Sequence, residues 1–88
     1  MIGVIFRGMH ATPEQYGSIR KALETHITPP PGRLWHAAGI DDGLYVIEVW
    51  ESEEAAEAFF DEKLSAAMRE FDMVAERQTF PIIGTIQP

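Results

Sequence analysis

Gly43-Leu44-Tyr45-Val46-Ile47-Glu48-Val49-Trp50-Glu51-Ser52-Glu53-Glu54 reads as a central strand running directly into a helix. Alternation along the strand puts Leu44, Val46, Glu48 and Trp50 on one face and Tyr45, Ile47 and Val49 on the other. The second face is uniformly apolar, so we assign it to the chain's own helices. The first begins apolar and ends in a carboxylate and an indole. We assign it to the open side of the sheet, where an assembly or a pocket would cover it. Ser52 reads as the cap of the following helix, with Glu53 and Glu54 placed favourably at its positive end.

Upstream, Arg33 to Gly39 reads as a strand, and Asp41-Asp42-Gly43 is a turn signal in which Gly43 supplies positive φ. The resulting hairpin sets Ile40 against Leu44, Ala38 against Val46, His36 against Glu48 and Leu34 against Trp50. A slip of one residue would move His36 to the other face. Further back, Ile2 to Met9 forms a first strand with Ile2, Val4 and Phe6 on one side and Gly3, Ile5, Arg7 and Met9 on the other. Thr12-Pro13-Glu14-Gln15 announces a helix, with Thr12 as N-cap, Pro13 at the first helical position and Gln15 closing a capping box. Its apolar stripe is Tyr16, Ile19, Leu23 and Ile27, and Gly17 weakens it by about 1 kcal/mol relative to Ala. Thr28-Pro29-Pro30-Pro31-Gly32 ends the helix and stiffens the connector.

Downstream of Ser52, the residues Ala56, Phe59, Phe60, Leu64, Ala67, Met68 and Phe71 recur at helical spacing. Glu76 to Ile82 is a last strand whose Pro81 suits an edge or a strand end, and Ile83 to Pro88 is an apolar tail that can dock on a partner subunit. The order is β-α-β-β-α-β: a ferredoxin-like α+β fold, a four-stranded antiparallel sheet with two helices on one face. The uncovered face would be apolar over several hundred Å2, which is unusual on a monomer, so pairing of two sheets in a homodimer is expected.

Composition agrees with this economy. The 88 residues make one domain and contain no cysteine, so neither disulfides nor thiolate metal sites supplement the small core. No close His pair suggests a metal site. A net charge of −7 disfavours nucleic acid and anionic membranes as partners. No apolar run approaches the ~18 residues of a membrane span, and the N-terminus lacks a signal-peptide pattern, so a cytoplasmic location is expected.

The hairpin and helix start carry a resemblance: His36-Ala37-Ala38-Gly39, Asp42-Gly43-Leu44, Glu48-Val49-Trp50-Glu51-Ser52-Glu53-Glu54-Ala55, then Phe59-Phe60. These segments, and nearly the whole chain with them, resemble the dimeric α+β barrel superfamily, in particular small proteins of the antibiotic biosynthesis monooxygenase-like type. The resemblance implies sheets paired into a barrel, with a pocket between sheet and helices in each subunit. It also implies activities that range from cofactor-independent quinone-forming oxidation to haem degradation, alongside stand-alone domains of no assigned activity. The haem-degrading members use an Asn on the first strand, a Trp ending the third and a His in the second helix. Trp50 matches the second of these. The first strand offers Arg7 and no Asn, and Phe60 stands at or near the His position. Haem cleavage by that route is therefore not expected.

Candidate chemistry centres on His36 and Glu48. A carboxylate facing an imidazole across a strand pair fixes its tautomer and makes a general base or acid near neutral pH; the plainer reading is a cross-strand pair that satisfies two half-buried groups. Trp50 would stack an aromatic substrate, or simply plug the interior. Arg7 would hold an oxyanion, or pair with a surface carboxylate. Tyr16 and Phe60 are candidate substrate contacts, or core. His10 reads as an exposed loop residue and His26 as structural, near a helix C-terminus. If the protein is an enzyme, His36 removes a phenolic proton and the substrate carbanion meets O2 directly, so no metal or flavin is implied. The alternative is a non-catalytic dimeric module that binds a small apolar or aromatic ligand.

Overall fold

The computed structural model describes residues 1–23 and 29–85. The first strand, β1 (Ile2–Gly8), leads into helix α1 (Pro13–Leu23). The hairpin β2 (Arg33–Ile40) and β3 (Leu44–Trp50) follows, then a second helical segment and β4 (Glu76–Pro81). The strands pair antiparallel in the order β2-β3-β1-β4. This is the expected ferredoxin-like α+β arrangement, with Pro81 ending an edge strand as anticipated.

Local signals act where the sequence puts them. Thr12 Oγ1 accepts from the Gln15 amide at 3.1 Å, and Gln15 Oε1 accepts from the Thr12 amide at 2.9 Å, so the capping box forms. Ser52 Oγ accepts from the Ala55 amide at 3.1 Å. The hairpin turn holds Asp42 at φ 54° and Gly43 at φ 116°. A Cβ on Gly43 would meet the Gly8 and Met9 carbonyl oxygens at 2.7 Å, so both backbone angle and space require glycine there. His26 and Ile27 lie outside the described residues, as does the end of the apolar tail from Ile86 to Pro88.

The second helical segment differs from the single helix expected. It runs as α2 (Glu53–Phe59), a π-helical turn (Phe60–Leu64) and α3 (Ser65–Glu70). The wide turn keeps both Phe59 and Phe60 against the sheet side, where Phe60 joins Ile2, Val4, Trp50 and Ala56 in the buried core. Such turns recur near functional sites.

The assignment of the faces of β3 is reversed. Leu44, Val46, Glu48 and Trp50 are buried at 4, 8, 4 and 0% exposure, beneath the helices. Ile47, expected there, is 44% exposed on the open side with Tyr45 and Val49. The cause is aromatic bulk: Trp50 packs against Phe59 and Phe60, with ring centroids 5.5 Å away in each case. The hairpin register holds from Ile40↔Leu44 through His36↔Glu48 to Trp35↔Val49 and then breaks. An irregularity between Arg33 and Trp35 sets Arg33, not Leu34, opposite Trp50. Among the described residues no helix is long and apolar enough to cross a membrane.

Candidate functional site

Because the Glu48 face turns inward, the polar residues of the hairpin meet the helices. His36 lies opposite Glu48 in the ladder, and its Nδ1 is 2.6 Å from Glu48 Oε2. Trp50 Nε1 donates to Glu48 Oε1 at 2.9 Å. Arg33 Nη1, delivered by the irregularity in β2, lies 3.5 Å from Glu48 Oε2. From α1, the Tyr16 hydroxyl comes within 2.5 Å of His36 Nε2, and the two rings stack at 15°.

The proton positions follow from the donor inventory. Indole and guanidinium groups only donate, so Glu48 acts as the acceptor for its neighbours. His36 therefore donates from Nδ1, and in the neutral imidazole Nε2 is the acceptor for the Tyr16 hydroxyl. The chain runs Tyr16 to His36 to Glu48, with Trp50 and Arg33 anchoring its far end. A buried carboxylate would be costly unpaired, and three donors offset that cost.

This chain borders a cavity of about 70 Å3 between sheet and helices. Tyr16, Arg20, Arg33, His36 and Glu48 supply its polar lining, and Phe6, Ile19, Leu44, Val46, Phe59, Leu64 and Met68 are among its apolar walls. The arrangement can move a proton at His36 Nε2, or at the Tyr16 hydroxyl, beside an apolar surface. No group of three or more His, Asp or Glu side chains placed to hold a metal occurs among the described residues.

The expected site residues divide. His36, Glu48 and Tyr16 are brought together. Trp50 touches Glu48 but is fully buried and does not reach the cavity wall, so it orients the carboxylate and cannot stack a ligand there. Phe60 is core: its ring meets Phe6 edge-on at 5.1 Å, and its neighbour Phe59 lines the cavity in its place. Arg7 is on the opposite face of the sheet. Its guanidinium lies 3.9 Å over the Tyr45 ring and donates to the Asp41 and Asp42 carbonyls at 3.0 and 3.1 Å, which pins the hairpin turn. Arg33 and Arg20 were not anticipated. Gly32 stands at φ 91° just before β2, whose pairing is irregular between Arg33 and Trp35.

No family model matches the sequence, and no curated protein matches it. Solved structures do. An antibiotic biosynthesis monooxygenase-like protein from Chloroflexus aurantiacus is 22% identical, with TM-score 0.64 and coverage of 99% of this chain and 98% of that one. SnoaB, a cofactor-independent oxygenase from Streptomyces nogalater, is 20% identical with TM-score 0.68, covering 99% and 97%. A point mutant of MhuD, with two manganese protoporphyrin IX bound per active site, is 18% identical with TM-score 0.63, covering 99% and 98%. The resemblance read from the hairpin thus extends over the whole backbone, and the chain has the fold of the antibiotic biosynthesis monooxygenase-like proteins.

Proposed function

We propose that this protein is an oxygenase of the cofactor-independent type, acting on a small electron-rich aromatic molecule. The observation that carries the reading is the continuous Tyr16–His36–Glu48 relay opening on an apolar cavity. His36 accepts a phenolic proton at Nε2, directly or through the Tyr16 hydroxyl, and Glu48 stabilises the imidazolium that forms. The resulting phenolate is also a ring carbanion. It passes one electron to O2, and the radical pair combines at that carbon. The hydroperoxide then loses water. Phenol plus O2 gives quinone plus water, so the balance closes with O2 as the only oxidant.

The cavity of about 70 Å3 is far below the roughly 300–1,000 Å3 of sites that engulf a drug-sized ligand. It takes the edge of one ring as it stands, and a polyketide-sized substrate needs α1 to move outward. That helix is suited to moving. Ile19 is the one residue of α1 that is buried, and nothing packs within 4 Å of a Cβ built on Gly17.

The same reading includes a homodimer through the open sheet face. Trp35, Ile47 and Phe80 are exposed there at 53, 44 and 37%. A second reading, a non-catalytic ligand-binding module, is favoured by one observation. No buried side-chain nitrogen or oxygen among the described residues lacks a hydrogen-bond partner, as expected of a purely structural polar cluster.

The test is oxygen uptake with 1-naphthol as probe. His36→Ala should lower the rate by about 10^2–10^4-fold while the thermal melt stays within a few degrees of the parent. A wild-type rate no faster than the protein-free control, or an unchanged rate in the variant, removes the oxygenase reading and leaves the binding module.

A further inference from the structure

A second, larger cavity of about 310 Å3 lies at the end of the sheet where β1 runs out, between the β1–α1 connection and the α3–β4 connection. Met9, His10 and Ala11 line it from the first connection, and Asp72 and Val74 from the second. Among the described residues, Met73 and Ala75 line both this cavity and the inner one beside His36, and no other residue does. The division between the two is one residue thick. Gly8 borders the inner cavity while Arg7 and Met9 border the outer, and Tyr16 borders the inner while Gln15 borders the outer. The backbone at this division is fixed. Helix α3 ends in a Schellman motif: Asp72 stands at φ 56°, its amide donates to the Arg69 carbonyl at 3.3 Å, and the Met73 amide donates to the Met68 carbonyl at 2.8 Å. Gln15 Nε2 donates to the Phe71 and Asp72 carbonyls at 3.3 Å each, which ties the N-terminal end of α1 to the same connection. What gives way is the half-buried Met73 side chain, because an unbranched thioether adapts readily to the shape of the gap beside it.

We propose that the two cavities are the halves of one elongated ligand site, and that Met73 determines how long a ligand it takes. The inner half holds the reacting ring beside His36. The far end of the ligand displaces the Met73 thioether, passes between it and Ala75, and rests between the two connections. The ligand class is an aromatic molecule extended beyond a single ring along one axis. Size supports this assignment. The inner cavity of about 70 Å3 holds only a ring edge, whereas the two together come to about 380 Å3, within the roughly 300–1,000 Å3 of small-molecule sites. The outer half is also lined by His10, Gln15 and Glu76, so it suits a polar terminus at the far end of the ligand. Because Gln15 holds its N-terminal end, outward movement of α1 widens the inner half from the Leu23 end and leaves the passage at Met73 in place.

This inference rests on the reading of the inner cavity as a ligand site, but its test needs neither proton transfer nor oxygen. Phenol, a single ring, and 4-phenylphenol, which adds a second ring in line, are titrated against the wild-type protein by calorimetry. The wild type should bind 4-phenylphenol at least about tenfold more tightly than phenol. In Met73→Phe, whose stiff ring cannot fold out of the passage, 4-phenylphenol should lose about tenfold in affinity while phenol stays within about twofold. Ala75→Leu narrows the passage from the other side and should act in the same sense, and this variant carries the test if Met73→Phe fails to fold. An unchanged 4-phenylphenol affinity in the folded variant, an equal loss for both probes, or a wild type that binds 4-phenylphenol no more tightly than phenol overturns the inference. A wild type that binds neither probe removes the ligand-site reading and the inference with it. Failure of the oxygenase reading is separate, since it appears as unchanged oxygen uptake in His36→Ala while the dependence of 4-phenylphenol binding on Met73 stands.

Discussion

The two faces of β3 have nearly the same apolar content and opposite fates. Leu44, Val46, Glu48 and Trp50 are sealed beneath the helices, and Tyr45, Ile47 and Val49 stand on the open side. The buried face contains the only charged residue of the strand, and the exposed face contains none. Hydrophobicity alone would have sorted them the other way. What decides is whether each face can be completed. Glu48 finds His36, Trp50 and Arg33 in its own layer, and Trp50 finds Phe59 and Phe60 above it. The Ile47 face has no such partners within the described residues, and Arg7 on Tyr45 is the principal polar feature there. One face is thus completed by this chain, and the other is the face that the proposed homodimer would cover.

Substitutions that trespass on each face test this contrast. The largest effect belongs to Trp50→Ala, which removes a side chain with no exposed surface and takes a donor from Glu48. We expect a loss of about 3–5 kcal/mol in urea unfolding, enough to leave so small a domain largely unfolded. A loss below about 1 kcal/mol would mean that the indole is not the keystone of the buried face. On the other side, Ile47→Glu should leave the monomer folded, because the residue is 44% exposed, and should dissociate the proposed dimer. Light scattering at micromolar concentration should show a dimer for the parent and a monomer for the variant. A stable monomeric parent would remove the reason offered for the open face. The smallest effect is expected at the outer wall of the cavity. Gly17→Ala has space for its methyl group and should stabilise α1 by about 0.5–1 kcal/mol, seen as a higher midpoint in denaturant. If α1 moves to admit ligand, oxygen uptake should fall modestly in the same variant.

Much of the site was legible. The pairing of His36 with Glu48 follows from a turn of defined length and strict alternation, and both hold over Ile40 to His36. Tyr16 lies on the apolar stripe of a helix whose start is set by its capping box, which brings its hydroxyl down onto the sheet. Arg7 and Arg33 were not legible, for two different reasons. Arg7 depends on which side of the sheet its parity faces, and that label is absent from any alternation pattern. Arg33 depends on a pairing irregularity beyond His36, where no turn any longer constrains the register. The π-helical turn at Phe60–Leu64 was hidden for a similar reason: a stripe at helical spacing tolerates one wide turn without losing its outline.

The order of elements, their caps, the hairpin and the grouping of side chains into faces were determined by the sequence itself, because each rests on contacts between residues close along the chain. Which face the helices cover, which arginine enters the cavity, and whether Trp50 borders a ligand or supports a carboxylate were decided only in the tertiary structure. Those outcomes depend on how bulky and polar groups from distant segments complete one another, and no local rule weighs one such completion against another. The strand at Leu44–Trp50 shows both at once: its alternation names the two faces, and the packing of Trp50 beneath Phe59 and Phe60 chooses between them.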